Sequence, residues 1–250
     1  MKIIVCFKQV PDTAIKVKID SNQKKVDKTD LDYVANPYDE IALEHAIRLK
    51  KQIDDVEIIL LSLGSENTEK TMRRGLAMGA DRGILLHTEE EIIDPFLIAK
   101  NLSETIKEEN PDLILTGIKA VDNDNAQVGA MIASLLEIAF INTVVKFELN
   151  ENKIQTLSEV RNGQLKLESS LPCVLGIEKS DIEITICSFS KIRKAKKKKI
   201  DKKAIKFEES GFEIKKIEIP KERRGGKIVG EGPEAVDKLF QLLKEEAKVL

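Results

Sequence analysis

Hydrophobic and polar positions along this chain change period several times, and each change marks an element. The run IIVCFK at residues 3–8 is apolar almost throughout and too short for a helix, so it predicts a buried strand. Residues 17–26, VKIDSNQKKV, read as a polar hairpin. NPYDEIALEHAIRLKKQ then predicts a helix, with Ile41, Leu43 and the residues from Ala46 to Leu49 as its apolar stripe. Asn36 suits its N-cap, Pro37 its first position, and Asp39 its third, where a carboxylate meets the positive helix end. Strand and helix patterns then alternate: VEIILLSLG, SENTEKTMRRGLAM (stopped by Gly79), RGILLH, DPFLIAKNLSETIKEEN, DLILTG and AQVGAMIASLL. Asp94 caps the third of these helices with Pro95 behind it, and Pro111 blocks its continuation. TVVKFEL is a further strand, KIQTLSEV and QLKLES flank an Asn-Gly turn, and LPCVLGIE closes the sheet.

Four strand–helix pairs in succession predict an α/β fold with a mostly parallel sheet and helices on both faces. From Lys191 the pattern is lost. KIRKAKKKKIDKKAIKFEE is basic without a core period, and Gly225, Gly226, Gly230 and Gly232 break the chain after it. PEAVDKLFQLLKEEAKVL is an amphipathic helix with Val236, Leu239, Leu242 and Leu243 on one side, which either folds back or packs on another protein. The expected division is residues 1–190 as the main domain and 191–250 as a basic segment with a C-terminal arm.

Composition narrows the function. The chain has 250 residues, 34% charged and 42% hydrophobic, as a globular protein has. A net charge of -2 gives no general pull toward nucleic acid or membrane. No apolar run approaches the ~20 residues of a membrane span, and MKIIVCFK reads as a strand and not as a signal peptide. The three cysteines, Cys6, Cys173 and Cys187, have no metal-ligand spacing and point to a reducing cytoplasm. His45 and His87 sit beside no nucleophile and read as structural.

Parallel strands present ligands at their carboxyl ends. That edge would carry Cys6 to Gln9, Ser62 to Gly64 and Thr116 to Gln127. It has neither GxGxxG after the first strand nor GxxxxGK[ST], which weakens a nicotinamide dehydrogenase or a P-loop enzyme. The helix expected to start near Asn125 still offers free N–H groups and a positive dipole end, and Ala126, Gly129 and Ala130 are small enough for a phosphate to approach. Asp122 and Asp124 would repel an unaccompanied phosphate, so they are expected to cap the helix or face a ribose hydroxyl. The edge has no nucleophile–base pair, metal cluster or reactive-cysteine setting. It reads as a binding site without chemistry.

Five stretches, in order and over essentially the whole chain, resemble the β subunit of electron-transfer flavoproteins. They are VCFKQVPD (residues 5–12), NPYDEIALEHAIRLK (36–50), LAMGADRG (76–83), TGIKAVDNDNAQVG (116–129) and KIRKAKKKKI (191–200). The resemblance implies a Rossmann-like domain of the adenine-nucleotide α-hydrolase type, in a heterodimer whose α subunit holds most of a redox-active FAD. It implies an AMP that never turns over in the β chain, and no catalytic residues of its own. Matched onto this sequence, the AMP contacts fall at Cys6, Asn36, Pro37, Tyr38, Asp39 and Leu63. They continue through Gly117, Lys119, Ala120, Val121, Asp122, Asn123, Asp124, Asn125, Ala126, Gln127 and Val128. Backbone groups of Cys6 and Leu63 would read the adenine, and residues 126–128 would meet the phosphate. Implied partners are the α subunit, an acyl-CoA or related dehydrogenase as electron donor, and a downstream quinone-linked oxidoreductase, with fatty acid oxidation as the setting. Docking of the dehydrogenase would use Phe189, Ile192 and Lys194, and residues 191–250 would pack partly on the α subunit.

This chain departs from the family at three places. Asp122-Asn123-Asp124-Asn125 stands where Asp-Gly-Asp-Thr is usual, so an amide replaces a hydroxyl near the phosphate. Ile118 replaces a commonly polar residue. Phe189-Ser190 replaces a Leu-Pro pair, and DIEITICSFS lacks the usual upstream Glu-Pro-Arg. Two alternatives stay open from sequence: a bifurcating subunit with a second FAD and an NADH site, and an adenine-nucleotide-binding module outside the family. Tyr38 is expected to favour the shorter ligand by filling the far end of the cleft.

Overall fold

A computed structural model of the chain describes residues 1–15, 17–22, 24–90, 92–205, 207–211, 213–220 and 226–250. Gly225, read above as a chain breaker, lies outside them. The centre of the protein is a nine-stranded sheet. Its middle strands are β1 (Lys2–Cys6), β6 (Glu57–Gly64), β7 (Arg82–His87), β8 (Leu113–Gly117) and β12 (Cys173–Ile177). The short strands β2 (Gln9–Pro11) with β5 (Tyr33–Ala35), and β3 (Lys18–Ile19) with β4 (Val26–Asp27), form two separate ribbons, the second being the expected polar hairpin.

The middle strands pair in parallel in the order β12-β8-β1-β6-β7. Their near-continuous apolar sequences follow from that position, since a central parallel strand is covered on both faces. Alternation divides the core. Ile3, Val5, Leu113 and Leu115 face one layer, with α1 (Pro37–Gln52) and α2 (Thr68–Met78). Ile4, Ile59, Leu61 and Ile114 face the other, with α3 (Pro95–Glu109) and α4 (Val128–Leu136). Each such side chain, fully buried, contributes about 1.5–3 kcal/mol. The chain goes from β1 by way of α1 to β6 on one side, then returns by way of α3 to β8 on the other. The strand order therefore reverses between β1 and β8, the position where open α/β sheets bind ligands.

The sheet extends at both ends. β9 (Ala139–Asn150) pairs in parallel with β12 and antiparallel with β10 (Lys153–Val160), which pairs with β11 (Gly163–Ser170). β9 begins earlier than its TVVKFEL pattern suggested because Ala139–Ile141 already pair with Cys173–Leu175. At the opposite edge, β13 (Ile200–Ala204) pairs with β7, so β12 does not close the sheet and the sheet runs past residue 190 into the basic segment. Charged side chains on an edge strand hide the apolar period that marks inner strands. Lys202 instead meets Glu66 and Glu69, and Lys203 meets Glu108. A short helix, α5 (Phe189–Ala195), precedes it and is fastened to α2, where the Arg73 guanidinium donates to Ala195 O (2.9 Å) and Lys198 O (2.6 Å). The last helix, α6 (Val236–Glu245), has no buried residue. Among the described residues no helix is long and apolar enough to cross a membrane.

Candidate functional site

The reversal of strand order opens a cleft on the α3–α4 side of the sheet. Cys6 and Leu63 enter it from the ends of β1 and β6, both packed against the same layer as Ile4 and Leu61. β8 ends in two residues with opposite tasks. Thr116 follows the parity of Ile114 and turns toward α4; Gly117 follows Leu115 and turns toward α1.

On the α1 side, Asp39 ties three segments together. Its carboxylate accepts from Lys8 N at 2.7 Å, Gly117 N at 3.0 Å and Asn36 Nδ2 at 2.9 Å. Burial is the largest influence on this acid and pushes its pKa up to about 7, against the pull of those donors and of the Lys8 charge. Asn36 is not a side-chain cap for α1 as its position suggested. Its amide also donates to Lys119 O (2.9 Å) and accepts from Val121 N (3.3 Å), so it holds the loop after β8 against the start of α1. Burial, and then the charge of Asp39, push the Cys6 thiol up, so it stays protonated and unreactive at neutral pH.

On the α4 side the site is built to receive an anion. Asp124 and Ala126 take left-handed backbone angles, φ 53° and 52°, and Gln127 returns to the right-handed region as α4 begins. Such alternation turns successive N–H groups toward a common concavity. α4 starts at Val128, a little later than Asn125, and no side chain caps it. Beneath its first turn lies Thr116 Oγ1, buried and without a partner among the described residues. A methyl group on Gly129 would come within 2.6 Å of that oxygen, so glycine is what brings helix and hydroxyl together. A buried hydroxyl without a partner is costly in isolation, and a ligand oxygen in the concavity would satisfy it.

Of the residues matched to the site, Cys6, Asn36, Asp39, Leu63, Gly117, Lys119, Ala120, Asn123, Asn125, Ala126, Gln127 and Val128 line the cleft. Pro37, Tyr38, Val121, Asp122 and Asp124 flank it. Asp122 and Asp124 do not cap α4; they pair with Lys8 (2.5 Å) and Lys119 (3.1 Å). Tyr38 lies under Lys119, whose Nζ is 5.8 Å from the ring centre. One wall was missed from sequence: Ile92, Ile93, Pro95, Ile98 and Leu102, at the start of α3. Ile93 and Ile98 bracket the Asp94 cap at the spacing of a hydrophobic staple, a signal that was legible.

The histidines and the docking residues lie elsewhere. His45 stacks on Phe147 with ring centres 5.2 Å apart, and burial lowers its pKa to about 4. His87 pairs with Glu89 at 2.9 Å. Phe189 is 93% exposed, Ile192 is 42% exposed, and Lys194 is exposed, all three on α5. Among the described residues no group of three or more His, Cys, Asp or Glu is placed to hold a metal.

Comparison with known proteins agrees with this architecture. Residues 24–207 match the Electron transfer flavoprotein domain family. The chain is 35% identical over 250 residues to the Electron transfer flavoprotein subunit beta of Syntrophomonas wolfei, spanning all of this chain and 98% of that one. It is 36% identical over 257 residues to the mitochondrial subunit beta of Arabidopsis thaliana, and 32% over 260 residues to that of Bacillus subtilis, in both cases along the whole of each chain. With the sheet reversal, the cleft and the full-length likeness in agreement, the chain belongs to the electron transfer flavoprotein β-subunit family.

Proposed function

We propose that this chain is the non-catalytic β subunit of a heterodimeric electron carrier, in which it holds one AMP in the cleft and docks the redox partner. The observation that carries the AMP reading is the buried, partnerless Thr116 hydroxyl under the uncapped start of α4. A phosphate there would receive N–H groups of the first helical turn and the positive dipole end. The adenine would lie at the Cys6 and Leu63 ends of β1 and β6, against the Ile93–Ile98 wall. AMP in this position joins three strand ends and both helix layers, so its role is a clamp. FAD, held mainly by the α subunit, supplies the one-electron and two-electron chemistry when bound. Electrons pass from an acyl-CoA or related dehydrogenase to a quinone-linked acceptor. The three cysteines are free, which fits a cytoplasmic carrier.

The C-terminal arm fits a role on the α subunit. Val236, Leu239 and Phe240 on α6 are 59%, 44% and 52% exposed, an apolar stripe without cover among the described residues. Denaturing the purified heterodimer and quantifying released nucleotides tests the whole reading. About one AMP and one FAD are expected per dimer. Two FAD and no AMP, with direct reduction by NADH, would make this a bifurcating subunit instead.

Phe189 is the proposed anchor for the dehydrogenase. Its ring is almost wholly exposed at the start of α5, beside the equally exposed Ile186, so it adds nothing to its own core. Phe189→Ala is expected to slow electron transfer from the dehydrogenase by tenfold or more, since interface anchors commonly contribute ~2 kcal/mol. Thermal stability should stay within about 0.5 kcal/mol of the parent. Unchanged transfer kinetics would remove Phe189 from the interface.

A further inference from the structure

The apolar wall of the cleft begins on a stretch without regular structure. Ile92 and Ile93 belong to no helix or strand, and Pro95, Ile98 and Leu102 follow on α3. Asp94 sits between the two parts and is 6% exposed. Its two oxygens have different partners. Oδ1 accepts from Phe96 N at 2.9 Å, which is the helix cap. Oδ2 accepts from Ser210 Oγ at 3.0 Å and from Gly211 N at 3.1 Å, 116 and 117 residues away in sequence. A cap needs only the first oxygen. The second fastens the chain that follows β13 to the start of α3. Lys100 makes a further tie on the same helix, its Nζ donating to Glu208 Oε1 at 2.6 Å. At ~100° per residue, Lys100 lies about 200° from both Ile98 and Leu102, on the side of α3 away from the cleft. Ile205, just before these contacts, packs into the core layer of α3. Residues 207–211 therefore form a strap that braces the wall from outside.

We propose that Asp94 and this strap latch the α3 wall, and that nucleotide enters and leaves the cleft when the latch opens. The inference rests on the adenine-nucleotide reading above and adds the element whose movement sets the rate of exchange. The other sides of the cleft are poor candidates for opening. β1, β6 and β8 are each paired on both edges. The loop after β8 is tied to α1 through Asn36. Local opening is drawn from segments with fewer such bonds, and residues 92–94 are outside the sheet ladder. Asp94 holds the strap and does not line the cleft. It is a positioning residue, which sets how often the wall moves and not what the nucleotide meets.

Asp94→Asn separates the roles of the two oxygens. The amide keeps one oxygen for the cap, at which asparagine equals aspartate. It turns an N–H group on Ser210 and Gly211 in place of an acceptor. Exchange of AMP bound to the intact heterodimer against isotopically labelled AMP gives the release rate. Rapid mixing of labelled AMP with nucleotide-depleted heterodimer gives the association rate. Both are expected to rise about tenfold in Asp94→Asn, with Kd within about threefold of wild type. Ser210→Ala should accelerate both less, and should add little to Asp94→Asn, because the two remove the same contact. Ile154→Val trims the core in the antiparallel extension and is the control. It should lower the thermal midpoint and leave both rates unchanged. Unchanged rates in Asp94→Asn, or faster release with unchanged association, would overturn the latch while leaving the adenine site standing. A wild-type heterodimer that binds no AMP would overturn the site and this inference together.

Discussion

Gly117→Ala is expected to empty the cleft of its nucleotide and to lower stability by about 2–5 kcal/mol, through overpacking together with loss of a buried hydrogen bond. A methyl group at residue 117 would overlap Asp39 Oδ1 and approach Tyr38 Cβ to 2.7 Å and Asn36 Nδ2 to 3.1 Å. None of these atoms can yield cheaply. Tyr38 Cβ is fixed by the first turn of α1, and the Asp39 carboxylate is held by three donors, one of which is Gly117 N itself. Relieving the overlap requires β8 and α1 to move apart. That motion breaks the Asn36 bridge to the loop after β8 and displaces the concavity at the start of α4. Gly75 shows the contrast. A methyl group there comes within 2.7 Å of Leu60 Cδ1, 3.2 Å of Phe7 Cζ and 3.3 Å of Leu43 Cδ2, all outer atoms of apolar side chains that take no part in the hydrogen bonds around Asp39. Gly226→Ala, with no atom within 4 Å, is the control and should stay within about 0.5 kcal/mol of wild type. Urea unfolding and AMP release from purified heterodimer measure both effects. Retention of full AMP by Gly117→Ala would show that β8 and α1 are not locked by this contact.

The parallel sheet was legible because buried strands write their burial into sequence. Residues 58–61 and 113–115 are apolar at every position, and α3 between them carries both a proline and a cap where it begins. The edge strand β13 was not legible. Its Lys202 and Lys203 are solvated charges paired with acids from other elements, and within its span only Ile200 marks a buried side. What distinguishes this segment from a free arm is pairing with Gly83–His87, a property of its neighbour in space.

The site divides in the same way. Thr116 through Val128 could be placed at the ligand edge because a strand turning into a helix does so by geometry alone. The roles of individual polar residues could not be read. Asn36 and Asp39 have the spacing of a helix start, and local reasoning assigns them to that helix. Their partners are instead Lys8, Gly117, Lys119 and Val121, so that a cap signature conceals a tie between three segments. Asp122 and Asp124 likewise read as caps for α4, whereas their side chains pair with Lys8 and Lys119. The apolar wall of Ile92, Ile93 and Ile98 showed in sequence only as a helix-start staple around Asp94, not as part of a site. Isoleucine at the start of a helix reads as core, and only the reversal of strand order exposes it to a cleft.

Asp39 and His45, both on α1, should give opposite pH dependence to stability, and substitution should separate them. The folded pKa of Asp39 is raised from 3.8 to about 7, so the folded protein holds an extra proton between those values. Stability associated with this group is fully present below about pH 4 and is lost as pH rises through 7, by about 4 kcal/mol in all at ~1.36 kcal/mol per unit. His45 is lowered from 6.5 to about 4 by burial and by the Arg48 charge, partly offset by Glu44. The unfolded chain binds the extra proton here, so stability is present above about pH 6.5 and falls by about 3 kcal/mol as pH drops through 4. Other acids titrate in the same range, and differences from wild type isolate each group. Asp39→Asn should destabilise by about 1–3 kcal/mol at acid pH, because an amide N–H would face Lys8 N–H in place of an acceptor. Relative to wild type, the variant should then gain steadily from about pH 4 to about pH 7. His45→Phe keeps an aromatic ring against Phe147 and removes the proton, so relative to wild type it should gain as pH falls from about 6.5 to about 4. Urea midpoints of the heterodimer from about pH 4 to about pH 8 measure both differences. An Asp39→Asn difference that falls with rising pH would mean that the three donors stabilise the carboxylate by more than burial penalises it.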